Sequence, residues 1–324
     1  MWDFSLGRTL SLLAHTWPFL ALRFAVFGGI ALLFLAVTGS GALIGYGIGT
    51  AFYDDASGYQ FGIFGTIGGF VLSGMIFRLI RHYILYMVKA AHIAVMVRLI
   101  DGEALPEATG QVAYGRRIVT ERFAEANALF ALDLLIKGVV RTIGRLISGI
   151  GAFLPIPGLQ QIIGIINSIV ETSVTFVDEI ILAYNVRTES DNPWQSSRHA
   201  LVLYAQNGRT MIKNAAWLTF FLFAISVLIF LILVAPLAAV FAAAPGTTVA
   251  YGIIAAVVFA IFVKETLIEP FAVAALMQVY FRTIEGQVPD PEWDDKLTVM
   301  SDRFRELKDR AIGAVPSIQP GKHR

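Results

Sequence analysis

The chain reads as an all-α, polytopic integral membrane protein in which two parallel two-span repeats flank a central membrane-embedded helical hairpin. Three observations predict this. Of 324 residues, 56% are hydrophobic and only 15% are charged, against about 25% charged in an average soluble domain. Mean hydropathy is +0.68. Long charge-free runs recur at lengths that suit a bilayer, and short sequence patterns recur in matching order.

A hydrocarbon core of about 30 Å needs roughly 20 helical residues. Four segments qualify, near residues 18–38, 60–80, 216–240 and 248–268. The connection 39–59 contains Asp54 and Asp55 but no Lys or Arg, and the connection around Pro245 is uncharged. Every Lys and Arg except Arg23 lies at the N-terminus, between Arg78 and Lys213, or from Lys264 onward. That positive-inside pattern places both termini in the cytoplasm, and the expected location is a bacterial inner membrane. Arg23 lies about two turns inside the first span, so its side chain is expected to snorkel to the interface. No removable signal peptide is evident at the N-terminus, and the first span is expected to act as its own insertion signal.

Residues 146–170 carry no charge but are broken by LPIPG at 154–158. Pro155 and Pro157 end one helix and start another. Two arrangements fit: a partial, re-entrant hairpin, or two full spans within 137–183. Only nine residues separate Arg145 from Pro155, which favours the partial hairpin.

The repeat rests on three pairs of patterns. GRTLSLLAHTW at 7–17 recurs as GRTMIKNAAW at 208–217, RLIDGEALPE at 98–107 as RTIEGQVPDPE at 282–292, and ERF at 121–123 as DRF at 302–304. The spacing leaves the first copy about seventeen residues longer between its first two anchors, which matches its glycine-rich outer connection. Each copy then reads as interfacial helix, two spans and a cytoplasmic helix. The implied organisation is 1–125 for the first repeat, 126–197 for the insertion, 198–312 for the second repeat and 313–324 for a disordered tail.

Glycines punctuate the first pair of spans. Gly41, Gly45 and Gly49 step by four, as do Gly65 and Gly69, so side chains are absent from one face of each helix and the backbones are expected to touch.

The polar residues define a candidate crevice. Arg78, His82, Lys89 and His92 fall on one face of the helix that continues the second span, with Arg81 beside them. That face is expected to meet water or headgroups, or to line a polar cavity. Asn167, Glu171, Asp178 and Asn185 form an acidic and amide stripe in the insertion, matched in length to the basic one. Apposing the two would compensate both, with Lys89 and Glu171 as a pair. Glu265 aligns with Arg81 in the repeat, and Glu269 precedes Pro270, an expected kink. Asp133, Lys137, Arg141 and Arg145 step by four and read as a solvated or headgroup-facing edge with i,i+4 ion pairing. At the C-terminus, Asp290 caps a helix that carries Trp293, Leu297, Met300, Phe304 and Leu307 on one face, expected to dock near Phe123.

Several functions are excluded or unsupported. A net charge of +1 gives no electrostatic footprint for nucleic acid. With no cysteine, thiolate metal sites and cysteine nucleophiles are impossible. No phosphate-cradling glycine motif, metalloprotease motif or serine-hydrolase motif occurs, so neither a cofactor, nor a metal site, nor an enzyme activity is expected.

The stretch from Phe123 to Gly286 carries RFAEANALFALDLLIKGVVRTIG, VDEIILAYNV, a GRT helix, two spans and a helix ending FRTIEGQ. In this order of elements it resembles the C-terminal half of choline-transporter-like membrane proteins over about half the chain. The family's N-terminal spans and large extracellular region have no counterpart, and no functional residue of the family maps onto a numbered position. The expected function is transport or permeation of a small polar or amphiphilic solute. The alternative is a non-transporting scaffold or assembly factor that recruits a protein partner at the cytoplasmic face or organises lipid. The lipid bilayer is the one partner both share.

Overall fold

The apolar runs of the sequence become helices longer than a membrane requires. The computed structural model describes residues 2–80, 86–105, 108–122, 126–151, 176–243 and 249–313. Among them every regular element is helical. Four helical stretches are long and apolar enough to cross a membrane: Trp17–Phe52, Asp55–Phe77, Gly208–Ala243 and Val249–Thr283. Only 11% to 28% of the residues in their most apolar windows are buried within the protein. The remaining apolar surface needs a lipid phase.

The chain divides into two units. One comprises residues 17–89 and 222–270 and the other residues 1–16, 90–221 and 271–324.

In the first of these, α2 (Trp17–Phe52) and α3 (Asp55–Ile80) form a long hairpin. At about 1.5 Å per residue, 36 residues give α2 a length of about 54 Å, well past the ~30 Å apolar core. The glycine-rich segment expected as an outer loop is thus helical on both sides of a turn at Tyr53 and Asp54. Glycine disfavours an isolated helix, but here it lets two backbones touch, and the contact offsets the propensity cost. A methyl group built on Gly41 would strike the Gly65 carbonyl, and one on Gly65 would strike the Gly41 carbonyl. Gly69 faces Val37 and Thr38 in the same way. The Asp54 carboxylate accepts from the Ser57 N–H at 2.7 Å and so caps the start of α3.

The helix α10 (Val249–Val263) packs on α2 through Phe27, Ala31 and Phe262. Gly252 lets it approach the backbone of α9 (Gly208–Ala243) at Ala238.

The second unit has a conventional aliphatic and aromatic core. It takes the later part of α4 (Tyr86–Ile100), where Ala90 to Val97 are all buried. It also includes α1 (Leu6–His15), α5 (Ala108–Arg122), α6 (Ala126–Gly151), α7 (Val177–Thr188) and α8 (Pro193–Gln206). The later part of α11 (Glu269–Thr283) joins them, its Tyr280 hydroxyl donating to the Ala200 carbonyl at 2.9 Å. Gly102 and Gly286, at φ +81° and +71°, turn the chain after α4 and α11. That left-handed conformation suits glycine at a helix end.

The C-terminal segment is two helices, not one. Asp290 caps α12 (Pro291–Met300), accepting from the Glu292 N–H at 2.8 Å. Ser301 then adopts an extended backbone and starts α13 (Asp302–Gly313). The break turns Phe304 and Leu307 onto α6 and α8 while Met300 remains exposed. The central proline-containing hairpin falls within 152–175, and the C-terminal tail and Phe123 likewise lie outside the described residues.

The glycine contact sets a clear expectation for thermal unfolding in detergent. Gly41→Ala should destabilise by roughly 1 to 3 kcal/mol, because the methyl group meets backbone that cannot swing aside. Gly68→Ala, where nothing lies within 4 Å, should be neutral or stabilise by up to about 1 kcal/mol.

Candidate functional site: a charge cluster at a helix break

Pro270 interrupts the last apolar run, and the helix answers by widening. Lys264–Ile268 forms a π-helical segment between α10 and α11, and the Glu269 N–H bonds to the Lys264 carbonyl five residues back. In a regular α-helix that N–H would serve the Glu265 carbonyl. In a continuing π-helix the next N–H would serve it, but residue 270 is proline and has none. The Glu265 carbonyl is therefore left without an intrahelical donor.

Arg23 supplies the donor. Its Nη1 lies 3.2 Å from the Glu265 carbonyl oxygen and 3.4 Å from Glu269 Oε2. Lys89 Nζ pairs with Glu269 Oε1 and lies 3.9 Å from Glu265 Oε2, and Lys264 Nζ is 3.2 Å from Glu265 Oε1. The Arg23 side chain is 1% exposed, Glu269 11%, Lys89 16% and Glu265 17%. Arg23, Lys89, Glu265 and Glu269 all belong to the unit that holds the glycine hairpin, and their formal charges cancel. An intact pair of this kind is tolerated in a low-dielectric setting, whereas removing one member leaves an uncompensated buried ion.

Arg23 thus departs from the sequence expectation. Its guanidinium is enclosed by the protein on the packed face of α2, which also buries Phe19, Phe27 and Ala31 at four-residue steps. The physical reason is the waiting acceptor: a carboxylate and an orphan carbonyl together repay the loss of water.

The described members of the expected crevice have three sets of partners. Lys89, Glu265 and Glu269 meet in this cluster. His92 is fully buried, its Nε2–H donating to Thr16 Oγ1 at 2.9 Å while the Thr16 hydroxyl donates to the Leu12 carbonyl. It therefore faces neither water nor headgroups, because α4 is enclosed on every side at that point. Asp178 lies 3.3 Å from Lys137. Arg78 sits near the end of α3, and its side chain, together with Arg81, His82, Asn167 and Glu171, lies outside the described residues. Asn185 is buried against Ser196 and Ser197, donating to the latter at 2.6 Å.

The Asp178 cluster has a different balance. Lys137 donates to Asp133 Oδ2 at 2.7 Å and also pairs with Asp178, so two carboxylates share one ammonium. The expected i,i+4 pair is present, but Asp133 is buried and its Oδ1 has no hydrogen-bond partner. Burial first, and the neighbouring Asp178 charge second, push the Asp133 carboxyl up to about 6. A third cluster, Arg198, Asp294 and Lys308, ties α8 to α12 and α13. There burial alone would raise the Asp294 carboxyl, but hydrogen bonds from Arg198 and Lys308 outweigh it and hold the group below its ordinary value.

Among the described residues no group of three or more His, Asp or Glu side chains could hold a metal ion. The fold and site define a helical protein with four potential membrane-spanning helices and a neutral, buried charge cluster at a helix break. No protein-family model, curated protein or solved structure matches the chain.

Two outcomes follow for stability in detergent. Arg23→Met and Glu269→Gln should each cost about 3 kcal/mol or more, as expected for a broken buried pair. The double variant should be less destabilised than the sum by more than about 1 kcal/mol, and additivity would show that the pair is not coupled. Asp133 predicts a pH dependence. Its folded-state value exceeds the unfolded one, so the native protein holds an extra proton between about pH 4 and 6 and loses stability as pH rises through that window. Asp133→Asn should therefore have a melting temperature close to wild type at pH 4 and above it at pH 7.

Proposed function

We propose that the chain is a transporter or permeation pathway for a small polar or amphiphilic solute, and that Glu265 and Glu269 are the groups a positively charged part of that solute meets. The observation that carries this reading is the cluster of Arg23, Lys89, Glu265 and Glu269 at the π-helical break. Ionisable residues inside a spanning unit are costly, and broken helices with such groups mark solute and ion sites in transporters. A solute cation can replace Lys89 at the carboxylates and release the ammonium, which gives the site two neutral states.

The positive-inside pattern supports cytoplasmic termini. With the connection 244–248 on the outer side, Glu265 would lie about 24 Å along the helix from Val249 and Glu269 about 30 Å. The carboxylate pair then belongs at the inner edge of the hydrocarbon core. The two-copy arrangement is supported by the paired sequence patterns and by the left-handed glycines after RLID and RTIE. The likeness in element order to choline-transporter-like proteins is compatible with the same reading.

A scaffold role has one specific observation in its favour: the backbones of α2 and α3 touch, so no solute passes between those two helices. Reconstitution separates the readings. In liposomes of phosphatidylethanolamine and phosphatidylglycerol, uptake of radiolabelled choline or ethanolamine should exceed that of empty liposomes, and Glu269→Gln should reduce it at least tenfold. Folded, reconstituted protein that passes neither probe nor protons would overturn the transport reading.

A further inference from the structure

The helix α1 lines a pocket that the charge cluster does not use. It has a volume of about 230 Å³ and is walled by Arg8, Ser11, Leu12 and His15 of α1, the last two residues of α4, and Gln278 of α11. All of these lie in one unit. The lining holds one guanidinium and no carboxylate. The acids that follow α4 are already engaged, Asp101 with Arg187 at 2.8 Å and Glu103 with Arg98 at 2.6 Å. The pocket is therefore electrostatically suited to an anion.

Its neutral groups narrow the choice further. The Nδ1–H of His15 donates to the Ser11 carbonyl at 2.7 Å, which leaves Nε2 for a ligand. Gln278 spends its amide N–H groups on Thr9 Oγ1 and the Ala274 carbonyl, so it offers a ligand its carbonyl oxygen. A guanidinium and the Ser11 hydroxyl can hold a phosphate, while the Gln278 carbonyl oxygen beside them calls for a ligand that also donates a hydroxyl proton. Phosphoglycerol has both. A choline headgroup has no hydroxyl donor and would bring a cation beside Arg8.

On the side of α1 away from the pocket, Leu6 and Leu10 are exposed, and in the sequence Trp17, 58% exposed, follows His15 by two residues where the spanning helix begins. Exposed leucines and tryptophan at the start of a spanning helix are the surface expected at acyl chains and headgroups. We infer that this pocket binds a phosphoglycerol group, as carried by the headgroup of an anionic phospholipid, through Arg8, Ser11, His15 and Gln278. This inference is independent of the transport reading.

Calorimetric titration of the purified full chain in nonionic detergent tests it with three probes: dihexanoyl phosphatidylglycerol, glycerol 1-phosphate and dihexanoyl phosphatidylcholine. Dihexanoyl phosphatidylglycerol should bind, and Arg8→Gln should weaken it about tenfold or more, the loss expected for one charge-assisted contact. Ser11→Trp, which fills the pocket, should abolish it, and Arg116→Gln, an exposed cation outside the lining, should not matter. Tighter binding of the lipid than of glycerol 1-phosphate assigns the site to the headgroup, and equal binding assigns it to soluble phosphoglycerols. Equal binding of phosphatidylcholine, or unchanged affinity in both Arg8→Gln and Ser11→Trp, would overturn the assignment.

Discussion

The interaction on which the spanning unit depends is the donation from Arg23 to the carbonyl of Glu265. Backbone acceptors inside an apolar phase must be satisfied by the protein itself. Pro270 removes the donor that a π-helical turn would use, and the Glu269 N–H is already committed to Lys264. The helix could not widen there unless another group reached the freed carbonyl. A guanidinium suits this because it carries several donors in a plane and can serve a carbonyl and a carboxylate together. Glu269 then balances the arginine, Glu265 balances Lys89, and the four charges sum to zero.

Placing Arg23 there is the work of α2. Phe19, Arg23, Phe27 and Ala31 fall at four-residue steps on the buried face of that helix, and Phe27 and Ala31 meet Phe262 just before the π-helical segment. The aromatic contact therefore sets the height of the guanidinium against the break. Further along the same helix, Thr38, Ala42, Gly45 and Gly49 continue the buried face into the contact with α3. Because methyl-free backbones touch there, α2 has little freedom to slide along its axis. The glycine hairpin and the charge cluster are thus coupled through one rigid element.

Much of this was legible in the sequence. Apolar run length predicted the four long helices, and glycine spacing predicted the tight contact between α2 and α3. The capping Asp290 and the Asp133 to Lys137 pair were read from local spacing alone, since both are contacts within one or two helical turns. What escaped was set by partners distant in the chain. Arg23 looked like an interface anchor because its acceptors lie more than 240 residues away. His92 looked like part of a wet stripe because periodicity cannot tell a helix with one apolar face from one enclosed on all sides. The signal for the π-helical break was present in Glu265, Glu269 and Pro270, but a proline alone predicts a kink as readily as a widened turn. Ser301 escaped for a local reason, since a heptad-like apolar pattern continues across it while the backbone does not.

The two carboxylate pairs, Glu265 with Glu269 and Asp133 with Asp178, show why charge balance and not burial alone decides what such a site can do. The first pair has two cations within reach, Arg23 and Lys89, with Lys264 at its margin. Every charge there has an opposite neighbour. Among the described residues the second pair shares Lys137, and a buried oxygen of Asp133 has no hydrogen-bond partner there. One negative charge is in excess, and the cheapest way to remove it is a proton on Asp133. The balanced cluster therefore keeps its carboxylates paired with cations, whereas the unbalanced one favours taking up a proton, although both are built from carboxylates and cationic side chains.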